Sequence, residues 1–69
     1  MNQHERIRKY LDDFGSISPM EAFRDLGITK LATRISEMTR NGESFIKRME
    51  SSKNRYGETV HFMHYRKAV

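Results

Sequence analysis

The apolar spacing of this chain changes period at Gly42, and that change constrains its fold more than any other feature. Before Gly42 the apolar residues recur at helical intervals. After it they fall in short runs rich in aromatic and β-branched residues, which no helical stripe fits. Gly15, Gly27 and Gly42 also cut the first part into three short segments. A chain of 69 residues with this layout has room for one small core.

The first segment predicts a helix over about 3–14. Ile7, Leu11 and Phe14 repeat at i, i+4 and i+7, with Tyr10 on the same side. Gly15 supplies the C-terminal stop. The second segment opens on Ser18-Pro19-Met20-Glu21, which reads as a capping box. The Ser18 hydroxyl can accept from the Glu21 N–H while the Glu21 carboxylate reaches back to the Ser18 N–H. Pro19 fits the first helical position, where its missing N–H is not needed. This predicts a short helix over about 19–26, with Ala22, Phe23 and Leu26 inward and Gly27 at its end. The third helix is expected over about 30–41. Thr29 stands where an N-cap is needed, Leu31, Ile35 and Met38 form the inward stripe, and Asn41-Gly42 forms the stop.

Residues 44–50 and 58–66 then read as two antiparallel strands joined by a basic turn, Ser51-Ser52-Lys53-Asn54-Arg55-Tyr56-Gly57. Phe45 and Ile46 are adjacent, so they cannot share one face of a strand. A lone hairpin is unstable in water, so this one must pack on the helices. The predicted class is therefore α+β and mostly α. Three helices precede a two-stranded hairpin in one domain over residues 1–69, the layout of a winged helix-turn-helix.

Such a motif works by propping one helix steeply on a shorter one, so that it projects into the major groove. Ala22 suits the close crossing, and Leu26, Ile28, Leu31 and Ile35 suit the seam. Gly27 stands five residues after Ala22, one more than in the most compact form of the motif. With the Leu31/Ile35/Met38 stripe inward, the open face of the third helix carries Thr29, Thr33, Ser36 and Arg40. Lys30 and Glu37 flank that face and Arg34 lies at its border. Short hydroxyl side chains let a helix sit deep, and Lys30 and Arg40 can meet phosphate or guanine. Glu37 can accept from a cytosine amine. On the hairpin, Lys47 and Arg48 lie on the incoming strand, with Lys53, Asn54 and Arg55 at the tip. The bland alternatives are a solvated helix face and a charged loop that guards a sheet edge.

Charge follows the same division. Residues 1–28 hold four basic and five acidic side chains, a balance of −1. Residues 29–69 hold nine basic and four acidic, a balance of +5 within the overall +4. An anionic partner would meet the second half.

Other chemistry finds little support. Without cysteine there is neither a disulfide framework nor a thiolate metal site. His61 and His64 are three apart on a strand and point to opposite faces, so they do not share a metal. Asp12 and Asp13 diverge on a helix and do not converge on a substrate. No glycine-rich phosphate loop is present. No enzyme activity and no cofactor are expected. The five methionines read as core filler. A hydrophobic fraction of 36% in runs of two or three residues is not that of a membrane span or of a secretory signal.

Several stretches also resemble the small winged helix-turn-helix domains of phage and prophage proteins. These are Gly15-Ser16-Ile17-Ser18-Pro19-Met20-Glu21-Ala22, Asp25-Leu26-Gly27-Ile28, Leu31-Ala32-Thr33-Arg34-Ile35, Asn41-Gly42 and Lys53-Asn54-Arg55-Tyr56-Gly57, with a closing Tyr65. The likeness runs from about Ile7 to Tyr65. It implies a protein that binds double-stranded DNA, a small regulator or architectural factor of the bacterial host cytoplasm or nucleoid. Arg34 matches the family motif, which implies a phosphate contact or an ion pair with an acid on the second helix. Some small phage proteins use this scaffold against a host protein complex instead, which is the competing reading. One domain reads few base pairs, so useful specificity points to a homodimer or a second bound protein. No heptad seam is present. An open hairpin edge or the first helix can serve as the contact.

Overall fold

The computed structural model describes residues 1–68. Helices α1 (Gln3–Phe14), α2 (Pro19–Leu26) and α3 (Leu31–Arg40) precede strands β1 (Phe45–Lys53) and β2 (Thr59–Lys67). The strands pair antiparallel without a break, from Phe45 opposite Lys67 to Lys53 opposite Thr59.

Capping explains why two short helices start where they do. The Ser18/Glu21 box forms as expected: the Glu21 N–H donates to Ser18 Oγ (3.3 Å) and the Ser18 N–H to Glu21 Oε1 (2.9 Å). A second box closes α1, between Asn2 and Glu5. Gly27 ends α2 at φ +69, a left-handed conformation that favours glycine. Helix α3 differs from expectation. Its N-cap is Lys30 rather than Thr29, no side chain caps it, and its first turn carries no acid.

The core gathers Ile7, Tyr10 and Leu11 from α1, and Leu31, Ile35 and Met38 from α3. Ile17, Ala22, Ile28 and Tyr65 join them. Phe45 and Met63 pack on its rim, so β1 and β2 each bring one face to the helices. Ile46 turns away, as its adjacency to Phe45 requires.

Three expectations about burial are corrected. Phe14 is 70% exposed, because the chain turns at Gly15 and Ile17 fills the inward place instead; its ring rests on Tyr10, 4.6 Å between centroids. Phe23 is 60% exposed, since Ala22 faces in and the next residue swings round by about 100°. Of the methionines only Met38 is fully buried and Met63 partly so, while Met1, Met20 and Met49 face solvent.

The hairpin is longer than its turn composition predicted. Ser51, Ser52 and Lys53 lie in β1, and the turn narrows to 54–58. Asn54 makes that possible. Its Oδ1 accepts from the N–H groups of Tyr56 (2.9 Å) and Glu58 (3.0 Å), while Gly57 takes φ +78. One further pairing left no mark in the sequence pattern. Ile17, between α1 and α2, exchanges two backbone hydrogen bonds with Tyr65, each 2.9 Å, and so covers part of the other edge of β2.

Ion pairs tie the elements together. Arg8 of α1 forks onto Glu43 after α3, with Nη2 2.7 Å from Oε2. That contact holds the Glu43 carboxyl below its ordinary range. The Tyr10 hydroxyl donates to Asp25 Oδ2 at 2.7 Å, joining α1 to α2. Arg24 and Tyr10 together pull the Asp25 carboxyl down to about 2.

Candidate nucleic-acid interface

Helix α3 lies between two helices that bury its apolar stripe, so its opposite side is open. Thr29, Lys30, Thr33, Ser36 and Arg40 are all exposed there, and Ala32 joins them. The face is therefore short-chained at its middle and cationic at both ends.

Arg34 and Glu37 do not stand on that face. Both are half-buried and turn toward α1. Glu37 Oε1 lies 2.9 Å from His4 Nε2 and 3.2 Å from Arg34 Nη1. The hydrogen bond with His4, the larger cause, and the Arg34 charge hold the Glu37 carboxyl below its usual range. The partner of Arg34 is thus an acid one turn along its own helix, not one on α2. A carboxylate so engaged is poorly placed to accept from a base.

Along the hairpin, alternation sorts the candidates. Lys47 and Lys53 share the face of Met49, Met63 and Tyr65, while Arg48 lies on the opposite face beside His64 and Glu50. Lys53 ends β1 instead of sitting in the turn, and its ammonium donates to the Thr59 hydroxyl at 2.8 Å. The side chain of Asn54 is spent on the turn, as described. Arg55 projects at the tip. Arg66 carries no sequence signal beyond its charge, yet it joins Arg48 around a hollow of about 110 Å³ that Ser16, Ile46, Glu50 and His64 also line.

The decisive feature is how charge is spent. None of the four acids of residues 29–69 stands on the open face of α3: Glu37 lies with His4 and Arg34, Glu43 with Arg8, Glu50 with His64, and Glu58 bonds the neutral amide of Asn54 at the hairpin turn. Of the nine basic residues in that stretch, Arg34 pairs with Glu37 and Lys67 with Asp12. The other seven, Lys30, Arg40, Lys47, Arg48, Lys53, Arg55 and Arg66, form no ion pair among the described residues. The open face of α3 thus carries only positive charge, while the hairpin bears its cations on both faces, with Glu58 exposed at the turn.

A family model described as a winged helix-turn-helix domain matches residues 2–65. The chain belongs to that family. In this winged helix-turn-helix protein α2 and α3 form the helical pair and β1–β2 the wing, as their order in the chain predicts. No curated protein and no solved structure matches it. Among the described residues, no helix of this winged protein is long and apolar enough to cross a membrane.

Proposed function

We propose that this protein binds double-stranded DNA sequence-specifically, with α3 in the major groove and the wing on the flanking backbone. The observation that carries this reading is the set of seven cations on α3 and the hairpin that form no ion pair among the described residues, with no acid on the open face of α3. Phosphate contacts supply most of the affinity of such domains. The reading set is Thr29, Lys30, Thr33, Ser36 and Arg40. Arg34 and Glu37 serve to seat α3 on α1. Lys47, Arg48, Lys53 and Arg55 serve the backbone, and Asn54 shapes the turn that presents them.

The N-terminus of α3 supports the same orientation. Both other helices close their first turn with a full capping box, whereas α3 has neither a capping side chain nor an acid there. Its free amides and positive dipole end favour a phosphate. A small phage-type regulator or architectural factor, working in the host cytoplasm or nucleoid, fits this surface.

Selection from random duplexes at about 150 mM salt tests the reading, since nonspecific binding is weak there. A recovered motif is the expected result, and Thr33→Glu or Arg40→Glu should abolish it without loss of fold. No retention of duplex DNA, or a motif that survives both substitutions, would refute the assignment of α3.

A further inference from the structure

The outer edge of β1 offers a second surface in its backbone groups, which the DNA reading, resting on side chains of this strand, does not use. Tyr65 exchanges both its backbone hydrogen bonds with Ile17, so its N–H and C=O point away from β1. In an antiparallel ladder, directly opposite residues alternate between bonded and unbonded pairs. Tyr65 and its partner Lys47 are therefore an unbonded pair, and the Lys47 amide and carbonyl face outward. The ends of the ladder agree. The Asn54 N–H donates to the Glu58 carbonyl (2.9 Å) and the Ala68 N–H to the Ser44 carbonyl (3.0 Å), placing the even-numbered residues on the inner side. Phe45, Lys47, Met49, Ser51 and Lys53 thus present unpaired backbone groups along nine residues of strand. No bulge interrupts the pairing and no proline lies in the strand. An edge of this length is a template for another strand.

Its own sequence is complementary to itself in one register. If two copies of β1 run antiparallel about a two-fold axis at Met49, Phe45 faces Lys53, Lys47 faces Ser51 and Met49 faces its own copy. Every outward amide and carbonyl from Phe45 to Lys53 then finds a partner. On the other face Arg48 falls opposite Glu50, twice, in the closer, unbonded type of pair. Shifting the axis by one residue places Arg48 against Arg48, or Glu50 against Glu50. Shifting it by two toward the start of β1 places Lys47 against Lys47. The Met49 register alone uses the whole strand and sets opposite charges face to face. It also covers Met49, whose side chain is otherwise 59% exposed. Lys47 and Lys53 of the two copies remain diagonal neighbours at about 7–8 Å, farther apart than the facing pairs.

We propose that two copies of this chain pair along β1 about Met49, joining their hairpins into one four-stranded antiparallel sheet. A two-fold contact of this kind is the commonest symmetry of protein dimers. It gives Arg48, which forms no ion pair among the described residues, a partner. It also places two α3 helices about one axis, as an inverted-repeat site would require, although the pairing itself does not depend on DNA.

Sedimentation equilibrium without DNA tests this at high micromolar concentration. The wild-type chain should reach twice its mass of 8.2 kDa. Arg48→Glu and Glu50→Arg should each sediment as single chains. An equimolar mixture of the two should recover the dimer, because each supplies the charge that the other then needs. Glu50 also contacts His64 at 2.6 Å, so circular dichroism must show that Glu50→Arg is folded. A second route does not use that variant. Met49→Cys chains should be joined by an ethylene-bridged bismaleimide. Ser52→Cys chains, whose copies stand about 20 Å apart in this register, should not. A wild-type chain that stays monomeric, single variants that dimerise unchanged, or equal cross-linking at the two positions would each overturn the proposal.

Discussion

Removing Lys53 and Arg55 together should change the salt dependence of DNA binding by an amount that the structure fixes in advance. Neither side chain forms an ion pair among the described residues, and both lie at the end of the hairpin, so each is available to one phosphate. Counterion release makes log K fall with log salt at a slope of about −0.9 per phosphate contacted. With seven cations available on α3 and the hairpin, the wild-type slope should be no steeper than about −6 per chain. The Lys53→Ala/Arg55→Ala variant should lie about 1.8 flatter. The affinity deficit then depends on salt, at about 200-fold near 50 mM and about 20-fold near 200 mM. Fluorescence anisotropy on one labelled duplex across that range measures both lines. The same deficit should appear on a scrambled duplex, because phosphate contacts carry no sequence information. Parallel lines, with a constant deficit, would show that neither cation meets the backbone and would remove the wing from the interface.

Further outcomes concern the scaffold. Ile35 is buried at the α3 seam, so Ile35→Ala should cost about 2–5 kcal/mol, close to the whole stability of a chain this small, and thermal melting should show a largely unfolded variant. Stability should fall at both ends of the pH scale. The Asp25 carboxyl is held down at about 2 against an ordinary 3.8, so its contribution is complete above about pH 4 and is lost as pH falls toward 2. The hydroxyls of Tyr10, bonded to Asp25, and Tyr65, desolvated by burial, are raised above 10.0, so their contribution is present below pH 10 and lost above it; denaturation by urea across pH checks both limbs. Arg8→Ala should cost about 1 kcal/mol and leave Glu43 unpaired, lowering DNA affinity at low salt by about twofold if the carboxylate lies about 10 Å from phosphate. Adding Glu43→Gln should restore the affinity but not the stability.

The helices were legible because each is bracketed by local chemistry. Ser18, Pro19, Glu21 and Gly27 define α2 without reference to anything distant, and the structure places it where they do. The seven-residue turn was overestimated because Ser51 and Ser52 have turn composition, while their state is decided by His61 and Val60 across the ladder. Phe14 and Phe23 illustrate the same limit. Periodicity finds a stripe, but its outermost residues are buried only if another element arrives to cover them. For Phe14 that element is absent, since the chain turns away at Gly15. Arg34 and Glu37 look like reading residues by position on α3. Glu37 is withdrawn by His4, thirty-three residues away in the chain, a contact that no local pattern encodes, and Arg34 follows it through their ion pair.

These withdrawals bear on why the open face of α3 has one sign. Composition alone gives residues 29–69 an excess of positive charge, but four acids scattered among nine bases would still leave a mixed surface. The fold separates them by giving the acids structural work. Glu37 and Glu43 anchor the start and the middle of α1 through His4 and Arg8, Glu50 lies against His64, and Glu58 closes the turn with Asn54. Glu37 and Glu43, each beside a guanidinium, act at a distance as part of a dipole, whose field decays faster than that of a lone charge and is screened further beyond a Debye length of about 8 Å. The contacts that seat the helices and square the turn are therefore the same contacts that clear the path to α3. Scaffold and surface are not separable in this chain: replacing His4 or Arg8 loosens α1 and also returns the charge of Glu37 or Glu43 to the neighbourhood of the reading helix.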